Sequence, residues 1–405
     1  MTQPLKAELP WLQQQVRAHA RNVQLILQGG SRANKQALKG SDNDVVGLGK
    51  HAHQPGSSNL ISPEGQKVDL MVHDNRSLGY IFNEEAESGR GTLLQIVSHS
   101  IVLFEAHEGQ GRFYQQEAMA RYLAGPLPVT KASLTERLQS LSADADEVAQ
   151  MPAGPARHLA AQLLASRVGY TAQRAARVWS AKRGKILARR LAIAMPDYKH
   201  NLEEAAATLA TGNALAMHRI INSGISQMYH EQEIAGLHPT LSSTPLSVKV
   251  EHPAEPASVG EAFYYARRSP TAMLDYLESG HPIATPVARQ WQHCKYATAR
   301  AAVTTDRMKR PHGEYNYAVT GLAGVIIDMA ALRQGIIPTE RDLPASIATA
   351  EAAMPGFAVA VMAARHGQPE GLIRRGDFAV RAISHTTPEA LPAPRPSPSW
   401  ARVPH

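Results

Sequence analysis

Three aspartates in the first 75 residues have the types and spacing that metal-assisted chemistry requires. Asp42 and Asp44 flank a single residue of a predicted strand, so strand alternation places both carboxylates on one face. Asp69 lies in the segment KVDLMV, where it faces away from the apolar side chains of the same strand. Neighbouring carboxylates repel one another unless a cation lies between them. Three of them match the oxygen ligands that two Mg²⁺ ions need for in-line displacement at phosphorus, which predicts nucleotidyl transfer.

A turn suited to phosphate precedes these aspartates. The apolar strand VQLIL ends at Gly29 and Gly30, where backbone amides can approach an anion without a Cβ atom in the way. Ser31 adds a hydroxyl at the predicted start of a short helix, and helix starts favour phosphate. The strand, the turn and the helix would therefore position a nucleotide triphosphate above the carboxylates.

The spacing of these residues is that of a known signature. Gly30 and Ser31 are followed by nine residues and then by Ser-Asp-Asn-Asp at 41–44, with the third aspartate in VDLMV. In this the chain resembles the minimal nucleotidyltransferases of the DNA polymerase beta superfamily, a group that includes antibiotic nucleotidyltransferases. The similarity continues through the segments IVLFE, ARYLAGPLPVT, TERLQSLSADADE and VWSAKRGKILARRL, and covers roughly 230 residues.

The resemblance implies a role for each matched residue. Asp42 and Asp44 would bind both Mg²⁺ ions, and Asp69 would bind one ion and accept the proton of the attacking hydroxyl group. The β and γ phosphates would lie against the glycine-serine turn. The nucleotide-binding residues implied are Gly30, Ser31, Ser41 and Lys185.

Two departures from the family pattern accompany these matches. Asn34 and Lys35 stand where the family usually has Arg-Gly, and Lys35 could alter how the triphosphate binds. Asn43 replaces the usual apolar residue between the aspartates, and strand alternation directs its side chain into a core. Neither change removes a predicted metal ligand.

The positive charge of the chain is local. The formal net charge is +7, and residues 157–199 contain ten basic residues against one acidic residue, so the remainder carries −2. This favours one anionic ligand or contact face over a chain that coats nucleic acid. A single helix over residues 159–191 would place Arg167, Arg174, Arg177 and Lys185 on one face. That face is either a solvated stripe or one whose Lys185 end reaches the nucleotide phosphates.

Composition narrows the class of protein. The 405 residues include no uncharged apolar run of 18 residues, which predicts that no segment spans a membrane. The N-terminal residues lack a basic segment followed by an apolar one, and the single cysteine, Cys294, cannot form an intrachain disulfide or a cysteine metal site. We therefore predict a cytoplasmic protein.

The patterns along the chain predict an α+β architecture. A mixed sheet with helices forms a nucleotidyltransferase domain at 1–110, and a helical bundle at 111–238 completes the active site. A linker rich in proline and serine at 239–258 leads to a second helical domain at 259–385, which includes one helix near 345–364. Residues 386–405 contain six prolines and are predicted to be disordered.

An acidic cluster follows the predicted site at Glu84, Glu85 and Glu87. These side chains either cap the next helix or present negative charge to a cationic acceptor.

The predicted reaction is Mg²⁺-dependent transfer of NMP, most simply AMP from ATP, to a hydroxyl group of a small molecule, with release of pyrophosphate. Two alternatives stay open. One is a macromolecular acceptor, either tRNA or a protein as in toxin-type relatives, and the other is a nucleotide-binding protein without turnover.

Overall fold

The chain divides into two compact units in a computed structural model. Unit 1 comprises Met1–Leu127 with Pro239–Tyr276, and unit 2 comprises Pro128–His238 with Leu277–His405. The structure describes residues 5–33, 42–52, 56–180, 185–234, 262, 284–304, 313–334 and 342–384. The predicted linker at 239–258 and the predicted tail at 386–405 lie outside these residues.

Unit 1 is built on a five-stranded mixed sheet, which confirms the α+β class. The strands are β1 (Ala20–Gly29), β2 (Asn43–Ala52), β3 (Gly56–Ile61), β4 (Lys67–His73) and β5 (Ile101–Glu105). Their order across the sheet is β3-β4-β2-β1-β5. The β2–β4 pair is parallel, and the other three pairs are antiparallel.

Helices connect and cover these strands. A 3-10 helix at Leu5–Glu8 leads into α1 (Leu9–Arg17), and a single turn, α2 (Gly30–Ala33), follows β1. The remaining helices of the unit are α3 (Asn75–Ser88), α4 (Thr92–Ser98) and α5 (Gln110–Ala124).

Strand alternation separates an apolar face of the sheet from the aspartates. Val68, Leu70 and Val72 on β4 are each 1% exposed and pack in one core cluster with residues of α1, including Leu12 and Val16. Because successive side chains of a strand point to opposite faces, Asp69 lies on the other side of the sheet. The predicted separation of Asp69 from its apolar neighbours is confirmed.

The start of α4 is held by a buried carboxylate from the acidic cluster. Glu85 is 5% exposed, and its two carboxylate oxygens accept hydrogen bonds from the backbone amides of Leu93 and Leu94 at 2.7 and 2.9 Å. These amides have no partner inside the helix, so an acidic side chain here satisfies them and also opposes the helix dipole. Glu85 therefore caps the next helix, as one of the two interpretations of the cluster predicted.

Unit 2 is entirely helical in the part of it that the structure describes. Its first helices are α6 (Lys131–Gln150), α7 (Pro155–Ala175), α8 (Lys185–Ala194), α9 (Pro196–Ala210) and α10 (Leu215–Arg219). One π-helical turn at Ile220–Gly224 leads into α11 (Ile225–Ile234). The last helices are α12 (Ala284–Thr304), α13 (Glu314–Arg333), α14 (Leu343–Ala353), α15 (Phe357–Arg365) and α16 (Glu370–Ser384).

One hydrophobic cluster extends from Leu134 on α6 to Ile383 on α16. Helices that the sequence analysis divides between a bundle and a second domain thus pack around a common core. The helix α13 is long and apolar enough to cross a membrane, but 89% of its apolar window is buried inside the structure. Such burial is typical of a helix at the centre of a protein core.

Two segments considered as single helices are interrupted. Residues 159–191 do not form one helix, because α7 ends at Ala175 and Arg177 has a left-handed backbone (φ 55°). Arg167 and Arg174 are also not a solvated stripe. Arg167 forms an ion pair of 2.6 Å with Asp144, and Arg174 is 7% exposed.

The single helix predicted near 345–364 is wrong. It is divided into α14 and α15 at Pro355 and Gly356, where Gly356 has φ 74°. A proline followed by a left-handed glycine cannot continue a helix.

Candidate functional site

Two of the predicted metal ligands are direct partners in the sheet. Asp44 on β2 and Asp69 on β4 are paired in the parallel register, between the pairs Asn43 with Val68 and Val45 with Leu70. Paired residues of neighbouring strands project from the same face with their backbones roughly 5 Å apart. Both aspartates are half-buried. The register therefore places the two aspartates beside one another on one face, at the end of the sheet where β2 and β4 begin.

The glycine turn closes onto the same carboxylate pair. Gly29 at the end of β1 pairs with Asp44, and the next residue, Gly30, has a left-handed backbone (φ 71°). A Cβ atom at Gly30 would overlap the carboxylate of Asp44. A Cβ atom at Gly29 would lie 2.5 Å from the carbonyl oxygen of Ile96 in α4. Glycine is thus required at both positions because neighbouring atoms leave no space for a side chain. Gly30 is the one of the two that borders the site.

The remaining predicted site residues are placed less completely. Asp42 immediately precedes β2 and is exposed, one residue from the strand that carries Asp44. The backbone of Ser31 belongs to α2, and that of Lys185 begins α8, but their side chains lie outside the described part of the chain. Ser41, like Asn34 and Lys35, lies outside it entirely.

The structure does not gather the aspartates into a closed triad. Within the described ranges, no group of three or more His, Cys, Asp or Glu side chains is close enough to hold a metal ion. The pair that it does bring together is Asp44 and Asp69. Two adjacent carboxylates are a donor set that suits a hard cation such as Mg²⁺.

A buried amide network that the sequence did not predict lies on the opposite face of β2 from Asp44. Asn43 is 1% exposed and Gln28 on β1 is 3% exposed. Asn43 accepts a hydrogen bond from Nε2 of Gln28 (2.9 Å) and donates from Nδ2 to Oε1 of Gln66 and to the carbonyl oxygen of Lys67 (both 3.2 Å). The prediction that Asn43 points into a core is confirmed, and this core supplies it with polar partners.

The same network reaches the N-terminal segment. The backbone amide of Leu5 donates to Oε1 of Gln28 at 3.2 Å, and the backbone amide of Glu64 donates to Oε1 of Glu8 at 3.0 Å. The 3-10 helix is therefore attached both to β1 and to the β3–β4 turn. The only signal in the sequence was an amide between two aspartates, which does not identify its partners.

Comparison with known proteins finds no matching family. No protein-family model matches the chain, and no curated protein matches it.

Proposed function

We propose that the protein is a Mg²⁺-dependent nucleotidyltransferase that transfers NMP, most simply AMP from ATP, to a hydroxyl group. The observation that carries this proposal is the position of Gly30 against Asp44, with Asp69 paired beside Asp44 in the parallel register. Backbone amides of a glycine turn can bind phosphate oxygens, and two adjacent carboxylates are ligands for the cations that accompany phosphate.

Each residue has a defined role in this proposal. Asp42 and Asp44 would bind both Mg²⁺ ions, and Asp69 would bind one. Bound there, Mg²⁺ would neutralise charge on the triphosphate and on the departing pyrophosphate. The acceptor oxygen forms a bond to the α phosphorus. The bond between that phosphorus and the oxygen that bridges the α and β phosphates breaks, which releases pyrophosphate. The proton of the acceptor hydroxyl passes to the Asp69 carboxylate.

Phosphate contacts fall to the turn and to a cation. Gly30, Ser31 and Ser41 would lie along the triphosphate. Because the strand motif supplies only carboxylates, the net negative charge of a magnesium triphosphate calls for a basic residue, and we assign Lys185 to this role. Residues 157–199 carry a net charge of +9, which supports the choice.

The acceptor in this proposal is a small molecule. A charge that is confined to one segment suits a single anionic ligand better than an extended polyanion. A tRNA or protein acceptor is the competing outcome, and a nucleotide-binding protein without turnover is the other. The proposed location is the cytoplasm.

The test is incubation of the full chain with each of the four labelled NTPs, Mg²⁺ and a panel of acceptors, followed by mass spectrometry. The panel contains aminoglycosides, tRNA and the protein itself. We expect pyrophosphate release and a mass increase of one NMP on a small molecule, with both lost in Asp44→Asn or in EDTA. A modified tRNA that binds more weakly as salt rises would shift the proposal to a macromolecular acceptor. Nucleotide binding without pyrophosphate release under any condition would refute the enzyme.

A further inference from the structure

The candidate site has a support that the metal-ligand motif does not include. Asn43 lies between the two aspartates in the sequence, but its side chain points to the opposite face of β2 and is 1% exposed. Its amide makes three hydrogen bonds, to Gln28 on β1, to Gln66 in the β3–β4 turn and to the backbone of Lys67 on β4. One side chain thus joins three strands at the point where the aspartates emerge.

The position of these bonds along the ladder gives them a specific effect. Asn43 pairs with Val68, and the next pair is Asp44 with Asp69. The bond from Asn43 to the carbonyl oxygen of Lys67 therefore links β2 to β4 at the step before the aspartate pair. Strand ends fray readily, and adjacent carboxylates repel each other, so a link at this end of the sheet helps to hold its register.

We propose that Asn43 is a positioning residue, which holds Asp44 in register with Asp69 through its amide bonds to Gln28, Gln66 and Lys67 and so preorganises the cation site. The inference rests on the proposed function, because it assumes that this aspartate pair binds a divalent cation. It goes beyond that function because it makes the affinity for the cation depend on a residue that does not bind the cation.

The support extends through Gln28 to the N-terminal segment. Oε1 of Gln28 accepts from the backbone amide of Leu5, while its Nε2 donates to Asn43. Both ends of the Gln28 amide are therefore used, which fixes its orientation. A buried amide with its bonds satisfied holds one geometry, whereas the same amide with a missing partner would lose much of that constraint.

The experiment measures Mn²⁺ affinity by electron paramagnetic resonance on the full chain, without substrate. We expect Asn43→Leu to weaken Mn²⁺ binding about tenfold, the effect of removing groups that support metal ligands. Gln66→Ala removes one acceptor from the half-buried turn, and we expect a loss of about threefold, which keeps the test informative if Asn43→Leu does not fold.

Val16→Ala is the matched control. Val16 belongs to the core cluster that includes Val68 and Leu70 of β4, and it lies against Gly47 of β2, three positions beyond Asp44. Its side chain is apolar, so it makes no hydrogen bond to the strand end. We expect it to lower stability and to leave Mn²⁺ affinity within about twofold of the wild type.

The outcomes separate the inference from the function beneath it. If wild-type protein binds Mn²⁺, Asp44→Asn abolishes that binding, and Asn43→Leu and Gln66→Ala both bind as the wild type does, the positioning role is refuted and the proposed function stands. Equal losses in Asn43→Leu and Val16→Ala would also refute it, because the effect would then follow overall stability. If wild-type protein binds no Mn²⁺, both the proposed function and the inference fail.

Discussion

Gly30 lies so close to Asp44 that a Cβ atom on the glycine would overlap the aspartate carboxylate. The contact joins the turn after β1 to the first residues of β2 across the Gly29–Asp44 pair. The glycine turn and Asp44, which are separate parts of a sequence motif, therefore pack against one another in the fold.

Gly30→Ala is expected to remove Mg²⁺-dependent turnover and to destabilise unit 1 by about 1 to 3 kcal/mol, because the methyl group displaces Asp44 and the backbone is left-handed. Gly65→Ala is the matched control. Gly65 has φ 78° but nothing within 4 Å of the added Cβ atom, so this variant reproduces the backbone strain without the collision. Calorimetry and pyrophosphate release measure the two effects. Equal activity in the two variants would contradict the contact argument.

Asp42→Ala and Asp44→Ala are each expected to abolish turnover while leaving the metal-free protein as stable as the wild type or slightly more stable. Without a cation, Asp44 and its register partner Asp69 repel one another, and Asp42 is exposed, so removal of either Asp42 or Asp44 should cost the metal-free fold little. Thermal unfolding in EDTA and then in Mg²⁺ tests this, since only the wild type should gain stability from the ion. Near-normal activity in either variant would argue against the proposed metal ligands.

Asp69→Asn is expected to lower kcat by about 10²- to 10⁴-fold and to change nucleotide affinity much less. The amide keeps the size of the side chain and one oxygen ligand, but it cannot take the proton of the acceptor. Steady-state kinetics together with equilibrium binding of a non-hydrolysable nucleotide separate the two quantities. A loss of affinity as large as the loss of rate would contradict the role of general base.

The strand pattern around these residues could be predicted from the sequence because it is local. Alternation alone separates Val68 and Leu70 from Asp69, and the burial of these residues confirms it. The register of Asp44 with Asp69 could not be predicted, since it depends on how β3 returns the chain to the sheet. Asn43 illustrates the same limit, because its partner Gln66 is distant in sequence and nothing local indicates the pairing.

The ends of the helices in unit 2 were harder to predict, because the amino-acid composition changes little where one helix ends and the next begins. Residues 159–191 are rich in Ala, Leu and Arg on both sides of Ala175, where α7 ends. The end of α14 did have a local signal, because Pro355 and Gly356 lie just beyond it. Apolar residues continue on both sides of this pair, which made one long helix the simpler prediction.

Lys185→Ala is expected to weaken ATP binding about ten- to a hundredfold, which corresponds to about 1.5 to 3 kcal/mol for one charged contact to phosphate. Lys131→Ala provides the control, because Lys131 is exposed at the start of α6 and its removal makes the same change in net charge. Isothermal titration at two salt concentrations measures both. Equal ATP affinity in the two variants would contradict a direct contact between Lys185 and the phosphates.

Glu85→Ala is expected to destabilise unit 1 by about 2 kcal/mol, because two backbone amides at the start of α4 lose a charged acceptor inside the fold. Glu84→Ala, one residue away and half-buried, is the comparison variant. Chemical denaturation followed by circular dichroism measures the difference. Full stability combined with a raised KM for a cationic acceptor would instead assign Glu85 to acceptor binding.

The shared core of unit 2 has a consequence for synthesis of the chain. Apolar side chains on α7 and α9 pack in the same cluster as those on α13 and α16, and α16 ends at Ser384. At about 5 to 20 residues per second, a ribosome takes about 10 to 35 s to proceed from Ala210 to Ser384. During that interval the early helices have no partner for part of their apolar surface. A nascent chain that stalls before α16 should therefore expose apolar surface of the kind that chaperones bind, and a stop codon shortly before α16 should yield aggregated protein and not a shortened active one.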